Sequence, residues 1–147
     1  MESDYPEVEV SYEFVDAVAM RLVQWPNSYD VMITENLFGD ILTDEASVIS
    51  GSMGLMPSAS VGENNSLYEP IHGSYPQAAG KDIANPLATI LSAAMMFEDA
   101  FNLQDEAQAI RDVVTKSLEQ GIVTEDLSGD NKSYKTSEVG DWLVENI

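Results

Sequence analysis

The stretch Thr34-Glu35-Asn36-Leu37-Phe38-Gly39-Asp40-Ile41-Leu42-Thr43-Asp44 joins the end of an apolar, strand-like run to a helix whose opening turns carry two aspartates four residues apart. At that spacing Asp40 and Asp44 share one helix face. Like charges so placed destabilise a helix by about 0.2–0.5 kcal/mol, a cost that a cation between them would offset. Hard oxygen donors in small number suit Mg²⁺ or Mn²⁺, which complete their shells with water and substrate oxygens. The residues alone leave a second reading open: two solvated acids, one of them favourably facing the helix N-terminus.

Upstream, Val8, Val10 and Tyr12 alternate as a short strand before a helical stretch from Glu13 to Gln24. Its apolar positions Val15, Val18, Ala19, Leu22 and Val23 follow the spacing of an amphipathic helix. Pro26-Asn27 ends it, and Asp30-Val31-Met32-Ile33-Thr34 reads as a buried strand. The pattern is α/β, a parallel βαβ unit with a right-handed crossover. Asp40 and Asp44 then follow the C-terminal end of a strand, where ligand sites of open α/β sheets lie.

Downstream the texture shifts at Gly51-Ser52-Met53-Gly54, followed by Pro57, Gly62 and the polar turn Glu63-Asn64-Asn65-Ser66. This places a boundary between residues 1–51 and 52–147, with strands expected at Pro57 to Val61 and Ser66 to Ile71. Asn85-Pro86 opens a helix, Asn as N-cap and Pro in the first turn. Leu87, Ile90, Leu91, Ala94, Met95 and Phe101 give that helix a broad apolar face, with the methionines as core filler. A further helix from Gln104 to Gln120 carries Ala107, Ile110, Val113, Val114 and Leu118 on one side and stops at Gly121. After a polar loop, Thr136 or Ser137 is expected to cap a last helix bearing Val139, Trp142, Leu143 and Ile147.

The 147 residues fit one ordinary domain, and 44% apolar content is enough for a core. The longest apolar stretch, Leu87 to Phe97, falls far short of the roughly 20 residues a membrane span needs. Acidic Glu2, Asp4 and Glu7 argue against a signal peptide, which leaves a cytoplasmic protein as the expectation. The absence of cysteine excludes disulfides, thiolate zinc sites and cysteine nucleophiles. A formal charge of −20, from 26 acidic and 6 basic residues, disfavours nucleic-acid and anionic-membrane partners. The same field repels a dicarboxylate or a dinucleotide unless positive charge is supplied locally, and the few cations do not cluster.

Beyond these readings, Asn36-Leu37-Phe38-Gly39-Asp40-Ile41-Leu42-Thr43-Asp44 resembles the metal-binding motif of the β-decarboxylating dehydrogenases, the family of isocitrate and 3-isopropylmalate dehydrogenases. Glu69-Pro70-Ile71-His72-Gly73-Ser74, with Gly80-Lys81-Asp82-Ile83-Ala84-Asn85-Pro86, is similar to the family's adenine-nucleotide loop, its wording nearest the 3-isopropylmalate branch. The resemblance runs from about Tyr5 to the C-terminus and implies the C-terminal portion of such an enzyme. Residues 1–51 would be part of the second domain, with metal and dimer interface. Residues 52–147 would be the C-terminal part of the first, cofactor-binding domain.

The resemblance further implies Mg²⁺ or Mn²⁺ held by Asp40, Asp44 and Asp16, the last supplied by a neighbouring subunit. NAD would be bound by His72, Gly73, Ser74 and Tyr75 on the adenosine side, with Asn85 at the adenine and Glu69 towards the nicotinamide. Gln77 stands where NAD-using members commonly have an acid, so its hydrogen bonding to the ribose lacks a charge that would repel a 2′-phosphate. From its chemistry alone, His72 reads more readily as a structural imidazole than as a ligand. The implied activity is oxidative decarboxylation of a 2-hydroxy dicarboxylate, 3-isopropylmalate in leucine biosynthesis, by a homodimer. The acid–base Tyr and Lys and the arginine clamp belong to the N-terminal part, so no catalytic residue is assigned here and the chain alone is expected to be inactive. The alternatives are a malate, tartrate or homoisocitrate relative, or a non-catalytic fragment or split-subunit module completed by another polypeptide.

Overall fold

The computed structural model describes residues 5–147. The chain divides into two compact units, Met1–Ile49 and Ser50–Ile147. In the first, helix α1 (Val15–Gln24) ends at Trp25 and runs into a 3-10 turn at Pro26–Ser28. Helix α2 (Asn36–Ser50) carries the paired aspartates. Leu22 and Leu42 are the buried apolar side chains of this unit. Glu13 ties the two ends of the α1 region together, accepting from Arg21 and, at 2.8 Å, from the Tyr29 hydroxyl.

The expected strands at 8–12 and 30–34 carry no ladder hydrogen bonds, and among the described residues the only sheet lies in the second unit. Alternation identifies which faces are apolar, but a strand is the property of a pair, and neither segment finds a partner within residues 5–147. Their apolar side chains are accordingly open: Tyr12 is 87% and Val31 82% exposed.

The second unit is built on a hairpin, β1 (Pro57–Val61) and β2 (Ser66–Pro70), antiparallel with Ala59 opposite Tyr68. The turn closes where Gly62 N–H donates to the Asn65 carbonyl at 3.1 Å. Helix α3 (Leu87–Asp99) packs between this hairpin and helix α4 (Gln104–Glu119), and α4 packs on α6 (Thr136–Asn146). Leu87, Val113, Val114, Val139 and Leu143 form the core these helices share. A short helix α5 (Glu125–Ser128) leads into the polar loop that begins at Ser128.

Local rules explain several helix ends. Asn85 Oδ1 accepts from Leu87 N–H at 3.0 Å, the N-cap bond the sequence predicts, with Pro86 already at helical dihedrals. At the end of α4, Gly121 adopts φ +69° while its N–H bonds Leu118 and that of Ile122 bonds Ser117. That is a Schellman closure, and the left-handed backbone is why glycine stands there.

Helix α6 departs from expectation, because Thr136 and Ser137 do not cap it. Asp82, far upstream, accepts from Ser137 N–H at 3.0 Å and from the Ser137 hydroxyl at 2.6 Å. The Thr136 hydroxyl donates instead to Ala84 O, and Lys135 N–H donates to Glu138 at 2.8 Å. A carboxylate at a helix N-terminus serves as both acceptor and dipole partner, so Asp82 meets the end of α6 better than a hydroxyl would. The Ser137 hydroxyl and N–H hold the Asp82 carboxyl below its ordinary value of 3.8, with Lys135 adding a smaller attraction. A depressed folded-state value means the contribution is present above the unfolded pKa and is lost as pH falls through the folded one. Asp82→Asn should therefore lower the thermal midpoint at pH 7, and the gap from wild type should close as pH falls below 3.8. Melting curves between pH 7 and 2 check this.

Candidate functional site

In the first unit, Asp40 and Asp44 lie one turn apart on the exposed side of α2. The Asn36 side-chain amide donates to Asp40 Oδ2 at 2.9 Å, orienting that carboxylate. Asp16 is exposed in the first turn of α1, where its Oδ1 accepts from Ala17 N–H at 2.8 Å. Among the described residues no three acidic or imidazole groups converge as a metal cage, so Asp16 is not brought together with the α2 pair within one chain. Two hard carboxylates on one face fit part of a Mg²⁺ or Mn²⁺ shell that needs further oxygen donors from elsewhere.

In the second unit, the segment between β2 and α3 borders a cavity of about 420 Å³. Four of the sequence-predicted cofactor residues line it: His72, Gly73, Tyr75 and Asn85. Glu69 lies exposed on β2 opposite Ser58, and Ser74 and Gln77 are exposed nearby, all three outside the lining. Gln77 sits in a 3-10 turn at Pro76–Ala78. His72 Nδ1 is 3.0 Å from the Gly73 carbonyl; with Nδ1 carrying the proton, Nε2 is left as an acceptor. A Cβ added at Gly73 would meet no atom of the chain, so the glycine leaves open space beside the cavity. An apolar surface from Tyr75 and Ile83 with polar His72 and Asn85 suits a purine nucleoside.

Gly54, Glu125 and Asp126 also line the cavity, and none of the three is among the expected site residues. Gly54 is buried against Asn85, where an added Cβ would come within 2.6 Å of the Asn85 Cβ. Asp126 accepts from Asn85 Nδ2 at 3.0 Å, from the Thr124 hydroxyl at 2.5 Å and from the Ser52 hydroxyl. Burial pushes the Asp126 carboxyl up, but the hydrogen bonds from Ser52, Thr124 and Asn85 outweigh it and hold the group below its ordinary value. The glycine-bearing run around Gly54 is legible in sequence only as a boundary between two regions, and nothing near Asp126 in sequence signals its link to Asn85.

The profile of the isocitrate/isopropylmalate dehydrogenase family matches residues 1–143. The chain belongs to that family. Among relatives of the family, a 3-isopropylmalate dehydrogenase of Bacteroides fragilis is 54% identical over 148 aligned positions, covering 100% of this chain and 42% of the relative. One of Aquifex aeolicus is 48% identical, over 98% of this chain and 40% of its own length. The crystal structure of isocitrate dehydrogenase from Methylococcus capsulatus superposes with a TM-score of 0.92 at 39% identity, covering 98% of this chain and 42% of that one. The chain thus spans about two fifths of the dehydrogenases it matches. Its α/β architecture is a part of the isocitrate/isopropylmalate dehydrogenase fold.

Proposed function

We propose that this chain supplies the C-terminal part of an NAD-dependent 3-isopropylmalate dehydrogenase of leucine biosynthesis, cytoplasmic and homodimeric when whole. In this reading residues 1–51 belong to the metal and dimer-interface domain and residues 52–147 to the cofactor-binding domain. The observation that carries the proposal is the cavity beside α3, which gathers His72, Gly73, Tyr75 and Asn85. These residues would hold the adenosine half of NAD, with Ser74, Gln77 and Glu69 along the rest of the cofactor. The lining also includes Glu125 and Asp126, with no lysine or arginine among its described residues. Acidic walls repel a 2′-phosphate, which favours NAD over NADP.

Asp40 and Asp44, with Asp16 of a second copy, would hold Mg²⁺ or Mn²⁺, whose chemistry when bound is to polarise the hydroxyl and carboxylate oxygens of the 2-hydroxy dicarboxylate. The choice of 3-isopropylmalate over isocitrate is supported by 54% and 48% identity to relatives named for the former against 39% to a structure named for the latter.

Gly73→Ala separates cofactor binding from folding. Because an added Cβ meets nothing in the chain, the thermal midpoint should stay within experimental error while NAD affinity falls. Calorimetric titration with NAD and NADP checks this, wild type preferring NAD. Equal NAD affinity in wild type and variant would remove the loop from the cofactor site.

A further inference from the structure

We propose that Asp126 is a positioning residue for purine recognition, fixing the Asn85 amide so that one N–H stays available to a ring acceptor of the base; this rests on the reading of the cavity as the adenosine site. Asn85 has one carbonyl oxygen and two amide hydrogens to place. The oxygen caps α3 through Leu87 N–H at 3.0 Å. One hydrogen goes to Asp126 at 3.0 Å. The pair of bonds settles which end of the amide is oxygen and which nitrogen, and it leaves a single donor on a residue that lines the cavity.

Asp126 is itself held from two sides, by Thr124 two residues before it and by Ser52 at 74 residues' separation. Gly54 bears on Asn85 directly, because its missing Cβ is what lets the Asn85 side chain lie where it does. The carboxylate, the two hydroxyls and the glycine therefore form one support for the Asn85 amide plane. An ionised acceptor makes the stronger bond to that amide, and the surrounding hydrogen bonds keep Asp126 ionised. A protein donor fixed in this way distinguishes a purine presenting a ring acceptor from one presenting an N–H at the same edge.

The test uses the full 147-residue chain labelled with ¹⁵N, with adenosine and inosine monophosphates as probes. Inosine monophosphate carries an N–H where the adenine ring has an acceptor. Wild type should prefer adenosine monophosphate by about tenfold, the worth of one positioned hydrogen bond. Asp126→Asn should move the Asn85 side-chain amide resonances and bring the two affinities towards parity. Ser52→Ala keeps Asp126 and the α3 cap and should shift the ratio part-way, so it carries the test if Asp126→Asn does not fold. Unmoved Asn85 resonances, or moved resonances with the full adenine preference retained, would overturn the positioning role. Binding of neither nucleotide by wild type would defeat both the proposal and the adenosine reading of the cavity. Binding of both, with the ratio untouched by either substitution, defeats the positioning role alone.

Discussion

Leu87→Ala should destabilise the unit Ser50–Ile147 by about 2–5 kcal/mol, the cost of truncating a buried leucine where the surroundings close only partly over the cavity. Leu87 is fully buried, and it meets Val113 and Val114 of α4 and Val139 and Leu143 of α6 in the shared core. The substitution leaves its backbone N–H on Asn85, so the α3 cap survives and the loss reports packing alone. Val144→Ala on the exposed side of α6, where the side chain is 77% accessible, should by contrast stay within about 0.5 kcal/mol of wild type. Equilibrium urea denaturation of the three proteins measures both. A Leu87→Ala loss no greater than that of Val144→Ala would mean that α3 does not anchor this unit.

Gly54→Ala should cost about 1–3 kcal/mol by overpacking, although the change is a single methyl on a turn. The new carbon would lie 2.6 Å from the Asn85 Cβ and 2.8 Å from its Cγ, too close for any rotamer adjustment at the far end of the side chain. Asn85 cannot swing aside freely, because one end of its amide caps α3 and the other is bonded to Asp126. If it yields, the cap is lost as well, at about a further 1 kcal/mol. The variant should lose NAD affinity together with stability, in contrast to Gly73→Ala, which should lose affinity only. Thermal melts and NAD titrations of the two glycine variants side by side make the comparison. Gly54→Ala with wild-type stability would show that the turn at Met53–Leu55 is loosely seated.

The contrast between these two glycines marks how far the sequence could be read. Local grammar carried the Asn85 cap, the stop at Gly121 and the β1–β2 hairpin, because each is decided by residues within a few positions of one another. The motif around His72 and Asn85 named four residues that the fold does gather round one cavity. Gly54 and Asp126 share that cavity but reach Asn85 only through the tertiary fold, and no spacing rule connects them to it. Asp82 is the same case at α6, where a distant carboxylate displaced the adjacent hydroxyls as the cap. Residues 8–12 and 30–34 failed for a related reason: their alternation is legible, yet strand pairing depends on a neighbour that residues 5–147 do not provide. Asp16, Asp40 and Asp44 matched a motif, but the chain by itself brings only the last two onto one face.

The most direct test of the account is an assay of NAD reduction with 3-isopropylmalate and Mn²⁺, using this chain alone and mixed with a polypeptide supplying the N-terminal part of a 3-isopropylmalate dehydrogenase. Turnover is predicted in the mixture only, dependent on Mn²⁺ and abolished by Asp40→Asn in this chain. A mixture that co-elutes as one assembly yet reduces no NAD with 3-isopropylmalate would contradict the assignment.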